Sequence, residues 1–110
     1  MIVSELCKQL DLKVAAGEDG VSRPVKGCYI GDLLSLAMAR VDHDYVWVTI
    51  QTNVNIVAVA SLAEAGCIII ADGFQPDEKA AQKADAEGIP ILTTPKDAYR
   101  LAAELAALGI

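Results

Sequence analysis

The sequence predicts one α/β domain of three layers, a mainly parallel sheet flanked by helices, over residues 1–110. Three observations predict it. From residue 45 onward, short apolar runs alternate with helical patterns in the order β-α-β-α-β-α. The connections are short, and crossovers of that length lay helices against a parallel sheet. One run, "CIIIA" at 67–71, is apolar at every position, as a strand covered on both faces requires.

Taken in order, Val3, Leu6, Cys7 and Leu10 share one helical face, so a helix is expected over 3–10. "LKVAAG" (12–17) reads as a strand ending at Gly17, and "EDG" as a turn. Val21 to Ile30 is extended, with Pro24 better suited to an edge or a loop than to a central strand. Pattern alone leaves the pairing of these two segments open. Leu33, Leu34, Ala37, Met38 and Val41 then recur at helical spacing behind Asp32, the expected N-cap.

"YVWVTI" (45–50) is a β-branched and aromatic strand, with Tyr45, Trp47 and Thr49 on one face and Val46, Val48 and Ile50 on the other. The helix after it is capped by Asn53 or a neighbour and stopped by Gly66. Its apolar residues Val54, Ile56, Val57, Val59, Ala60 and Leu62 run nearly all round, which predicts burial on more than one side. After "CIIIA" comes a surface helix, "PDEKAAQKADAEG" (76–88), with Pro76 in its first turn and Gly88 as its stop. "IPILTT" (89–94) is the last strand. "PKDAYRLAAELAALG" (95–109) is an amphipathic helix, with Pro95 at its first position and Thr94 as N-cap.

Composition narrows the function classes. A 54% hydrophobic, 22% charged chain supports a packed core rather than disorder. The net charge of −6 and the absence of a basic stripe argue against a nucleic-acid partner. "MIVSELCKQL" lacks the apolar stretch of a secretory signal, and no apolar run reaches membrane-spanning length. Cys7, Cys28 and Cys67 are odd in number, far apart and outside any CxxC pair, which implies reduced thiols in a cytoplasmic protein and no zinc. No cofactor is implied.

Polar residues gather at the strand-to-helix junctions: "GD" (31–32), "QTN" (51–53), "ADG" (71–73) and "TTPKD" (93–97). In a parallel sheet such junctions emerge at one rim, where helix N-termini favour a carboxylate or phosphate. Asp32, Gln51, Thr52, Asn53, Asn55, Asp72, Gly73, Thr93, Thr94 and Lys96 are the candidate ligand-binding residues. Ordinary caps and turns account for Asp32, Asn53, Asp72 and Thr94 equally well, whereas the triple "QTN" exceeds what one cap needs. No GxxxxGK[ST] or GxGxxG loop is present, and "DGFQPDE" lacks the spacing of a calcium loop. His43 falls at the opposite end of the predicted sheet, in a helix-to-strand loop.

The stretch from "GCYIGDLLSLAMARV" through "VWVTIQTNVNIVAVASLAEAGCIIIADGFQPDEKAAQKADAEGIPILTT" closely resembles the DRTGG-domain family. The matching positions are Gly31, Asp32, Leu33, Leu34 and Ser35, then Trp47, Gln51, Thr52 and Asn55 to Ala60, then Gly73, Pro76 and Asp77, and finally residues 88 to 92. The five-letter signature that names the family is absent, its place taken by "ADGFQPDE". The same module is similar to the N-terminal domain of HPr kinase/phosphorylase proteins and to a region of some phosphotransacetylases. The kinase chemistry of the former resides in a separate P-loop domain, and this sequence contains no such loop. The resemblance therefore implies a regulatory or scaffold module, homodimeric and without chemistry of its own.

Two functions are expected to compete. The first is a non-catalytic domain that self-associates and binds a small anionic metabolite or nucleotide, or a protein partner. The alternative is a small enzyme using the rim crevice, with Asp32 or Asp72 as general base and Lys96 stabilising an anion.

Overall fold

A computed structural model describes residues 1–110. Its elements are α1 (Val3–Leu10), β1 (Lys13–Ala16), a 3-10 turn (Glu18–Gly20), β2 (Gly27–Ile30), α2 (Leu34–Arg40), β3 (Tyr45–Thr49), α3 (Asn55–Ala63), β4 (Cys67–Ile70), α4 (Glu78–Glu87), β5 (Ile91–Thr93) and α5 (Ala98–Ala107). The strands form one sheet in the order β1-β5-β4-β3-β2. β2 to β5 are mutually parallel, and β1 joins the outer side of β5 antiparallel. That is the α/β sandwich the alternating pattern predicts. The extended segment 21–30 yields strand only from Gly27, at the far edge beside β3, and Pro24 makes a single bridge to Ile2.

Each strand face supports its own core. Trp47 of β3, Ile68 and Ile70 of β4 and Ile91 of β5 pack with Ala37 of α2, with Ile56, Val57, Val59 and Ala60 of α3, and with Ala80 and Ala84 of α4. The alternate residues Val46, Val48, Cys67, Ile69 and Leu92 pack with Val3, Leu6 and Leu10 of α1 and with Leu101 and Leu105 of α5. The period of two along the strands thus assigns three helices to one layer and two to the other. α3 lies between α2 and α4, which accounts for its scarcity of polar residues. Its burial is nonetheless one-sided toward the end, where Leu62 is 72% exposed.

Several predicted helix ends need correction. α2 has Leu33 at its N-cap position, without a side-chain cap, because the Asp32 carboxylate is turned to the end of β3. α5 starts three residues later than expected: Asp97, not Thr94, is the N-cap, its carboxylate accepting the Arg100 N–H at 2.8 Å. Pro76 precedes α4 rather than occupying its first turn, since Asp77 holds the N-cap position. α3 stops at Ala63 on a left-handed Glu64, and Gly66 instead brings the chain against the Pro24 carbonyl, where a side chain would collide. Gly88 ends α4 in the left-handed conformation, as expected.

At the amino ends of the parallel strands, the Arg23 guanidinium donates to the carbonyls of Ala65 (3.1 Å) and Gly88 (3.3 Å). His43 sits at the same end, 3.2 Å from Asp44 and 3.4 Å from Glu64. All three cysteines are free thiols, and no helix is long and apolar enough to cross a membrane. Burial raises the Cys7 thiol, pushes Cys28 up to about 11 and holds Cys67, fully enclosed, higher still. An unfolded thiol ionises near the ordinary 9.0, so between there and about 11 the folded chain binds the extra proton. Stability should therefore be unaffected by Cys28 below pH 9 and fall above it, by about 2–3 kcal/mol over that window. Urea midpoints measured across the range should show the fall, and Cys28→Ala should make it shallower.

Candidate functional site

The carboxyl ends of the parallel strands are level: Thr49 pairs with Ile70, Ile70 with Thr93, and Val48 with Ile30. The four junctions therefore share one rim. They divide into two halves of different character, and the direction in which each helix leaves the sheet is the reason.

After β2 and β3 the chain turns to the same face, into α2 and α3, so the two junctions run side by side with no gap between them. Their polar side chains bond to one another. Asp32 Oδ1 accepts from Thr49 Oγ1 and from the Ile50 N–H, both at 2.9 Å. Gln51 Nε2 donates to the Asp32 carbonyl at 3.0 Å, and its Oε1 accepts from Asn53 Nδ2 at 3.0 Å. Asn53 Oδ1 takes the Asn55 N–H, the first of α3, at 2.9 Å. The Thr52 carbonyl accepts the Asp77 N–H, tying this half to the start of α4. Every amide and carboxylate in "QTN" and "GD" thus has a partner within the chain. Exchanging Asp32 for Ala removes the acceptor of the Thr49 O–H, on a residue only 2% exposed, and frees the Ile50 N–H, while Thr49 Oγ1 keeps the Gln51 N–H at 3.1 Å. A loss of about 2 kcal/mol is expected by thermal unfolding, with Thr49→Val in the same chain recovering part of it.

After β4 and β5 the chain parts to opposite faces, into α4 on one and α5 on the other. Helices diverging from neighbouring parallel strands open a crevice, the position at which α/β sheets take their ligands. A cavity of about 350 Å³ lies there, lined by Asp11, Lys13, Gly73, Gln75, Thr93, Thr94 and Pro95. β1 contributes because it is antiparallel: its amino end, not its carboxyl end, reaches this rim, and Lys13 stands directly opposite Thr93. Asp11 enters from the left-handed C-cap of α1, at φ 54°. The floor is fixed by backbone bonds from Gly73 to the Thr94 carbonyl and from Asp72 to the Lys96 carbonyl, both 2.9 Å. Gly73 has φ +77°, and an added Cβ there would meet nothing within 4 Å.

Of the ten sequence candidates, only Gly73, Thr93 and Thr94 line this cavity. Asp32, Gln51, Thr52, Asn53 and Asn55 stand in the bonded half. Asp72 is exposed beside the cavity on a left-handed backbone, φ 61°. Lys96 points away: its ammonium donates to the Leu10 carbonyl and, at 2.8 Å, to Glu104 Oε1. The hydrogen bond from Lys96, and after it one from Arg100 at 3.3 Å, hold Glu104 below the usual carboxylate range. Asp11, Lys13 and Gln75 are the lining residues that the strand pattern alone did not single out.

The lining side chains differ from those of the other half in being unengaged. The carboxylate of Asp11, the ammonium of Lys13 and the amide of Gln75 form no ion pair or hydrogen bond within the chain. Thr94 Oγ1 accepts the Lys96 N–H at 3.2 Å, while the Thr93 hydroxyl has no protein partner although its residue is only 5% exposed. No three His, Cys, Asp or Glu side chains stand close enough to hold a metal ion. Compared with known families, the chain matches the DRTGG domain over residues 5–108. No curated protein matches it.

Proposed function

The chain belongs to the DRTGG domain family, a regulatory type of domain, and on that premise we propose a non-catalytic cytoplasmic module that senses a small charged metabolite at the rim. The observation that carries this reading is the crevice between the β4 and β5 junctions, with its free carboxylate, ammonium, amide and hydroxyl. Its volume falls at the small end of the range for metabolite sites. Against the enzyme alternative, Asp32 Oδ1 is already taken by two donors and Lys96 by Glu104, which leaves Asp72, exposed beside the crevice, without the cation that reading pairs with it.

The test is a titration followed by the amide resonances of Gly73 and Thr93, with nucleotides, acyl phosphates, phosphosugars and free amino acids as probes. Saturable shifts without turnover support the sensor; turnover of any probe supports the enzyme; no shift with any probe overturns the ligand role.

Self-association is the second half of the proposal. Ile30, Leu33, Leu36, Met38 and Ile50 are exposed around the edge strand β2 and helix α2, with Leu33 at 64%. An open strand edge beside apolar side chains is a surface that a second copy covers well. Sedimentation at low micromolar concentration should report a dimer, and Leu33→Asp should shift it to monomer. A wild-type chain that is only monomeric removes this half.

A further inference from the structure

We infer that the crevice takes a small zwitterion, a molecule with an ammonium and a carboxylate a few bonds apart, as in a free α-amino acid. The inference rests on the sensing role proposed above and narrows its ligand. Asp11 and Lys13 place one negative and one positive charge on the same small cavity, and neither is satisfied by the protein. A ligand of the opposite arrangement pairs with both at once: ammonium to Asp11, carboxylate to Lys13. The Thr93 hydroxyl, unpartnered within the chain and open to the crevice, supplies a further donor opposite Lys13, and Gln75 offers both a donor and an acceptor.

Other ligand classes fit less well. A phosphate or polyphosphate would meet the Asp11 carboxylate, and the chain carries a net charge of −6. The helix-terminus argument for an anion does not apply at this crevice. The Asp72 and Gly73 N–H groups already donate to carbonyls, while α4 and α5 begin only at Glu78 and Ala98. A nucleobase needs an aromatic wall to stack on, and none of the lining residues is aromatic.

The experiment is calorimetric titration of the intact chain with each of the common free amino acids, and with propionate, ethylamine, inorganic phosphate and ATP. At least one amino acid is expected to saturate, with propionate and ethylamine about tenfold weaker or more, since each keeps one charge pair only. Asp11→Asn, which keeps a residue tolerant of the left-handed backbone, and Lys13→Gln on the exposed strand edge should each weaken that amino acid about tenfold. Thr93→Val tests its hydroxyl in the same way. Unaltered affinity in all three variants overturns the assignment to this crevice. Saturation by phosphate or ATP with every amino acid silent overturns the zwitterion and leaves the sensing role standing. Silence of every probe overturns both.

Discussion

Gly17→Ala is expected to cost at least about 3 kcal/mol of folding stability. Gly17 holds φ +70°, where an L side chain is strained by about 1–2 kcal/mol. The added Cβ would also overlap the Ile89 carbonyl oxygen, a backbone atom that cannot swing aside. Ile89 leads into β5, and the Gly17 N–H is itself bonded to Asp85 of α4 at 2.7 Å, so the collision strikes where three elements meet. Gly88→Ala is the control. It has almost the same φ, +65°, but open space around the added atom, so only the backbone strain remains. Chemical denaturation should place Gly88→Ala about 1 kcal/mol below the wild type and Gly17→Ala well beneath it. Equal losses would show that backbone strain alone decides.

Trp47→Ala carries the other large effect, about 3–5 kcal/mol. Trp47 has no exposed surface and lies on the β3 face that supports α2 and α3. Its removal leaves a void between layers that aliphatic neighbours fill poorly. The ring also reaches sideways: Nε1–H donates to the Gly31 carbonyl at 2.9 Å, fastening the end of edge strand β2 to β3. Trp47→Phe keeps most of the volume and loses that bond, so about 1–2 kcal/mol is expected, below the alanine figure. Calorimetric unfolding distinguishes the two contributions. A Phe variant as unstable as the Ala variant would assign the effect to the hydrogen bond rather than to packing.

The layers were legible because they depend on local pattern. "CIIIA", "YVWVTI" and the helix after Asn53 each carry a periodicity that only one placement satisfies. The caps were less legible. A threonine before Pro95 and an aspartate before Leu33 look like caps, but a neighbouring aspartate captured one helix and the end of β3 captured Asp32's carboxylate. The crevice required a fact that periodicity does not hold: that α4 and α5 leave to opposite faces. The alternation of Leu92 with Ile91 and Thr93 is compatible with either face for the helix that follows. Lys13 and Asp11 stayed hidden for a related reason. A four-residue edge strand carries too little pattern to fix its direction, and only its antiparallel pairing brings its first residue to the rim.

The placement of β1 against β5 also governs how the chain assembles. β1, the first strand of this sheet in chain order, must wait for residues 91–93, the last of its strands, before it has a partner. β3 and β4 meanwhile can pair as they appear, β3 with β2 and β4 with β3. The β1–β5 pairing is thus the long-range contact of the sheet, and the same pairing covers β5 on its open side and brings Lys13 to the crevice.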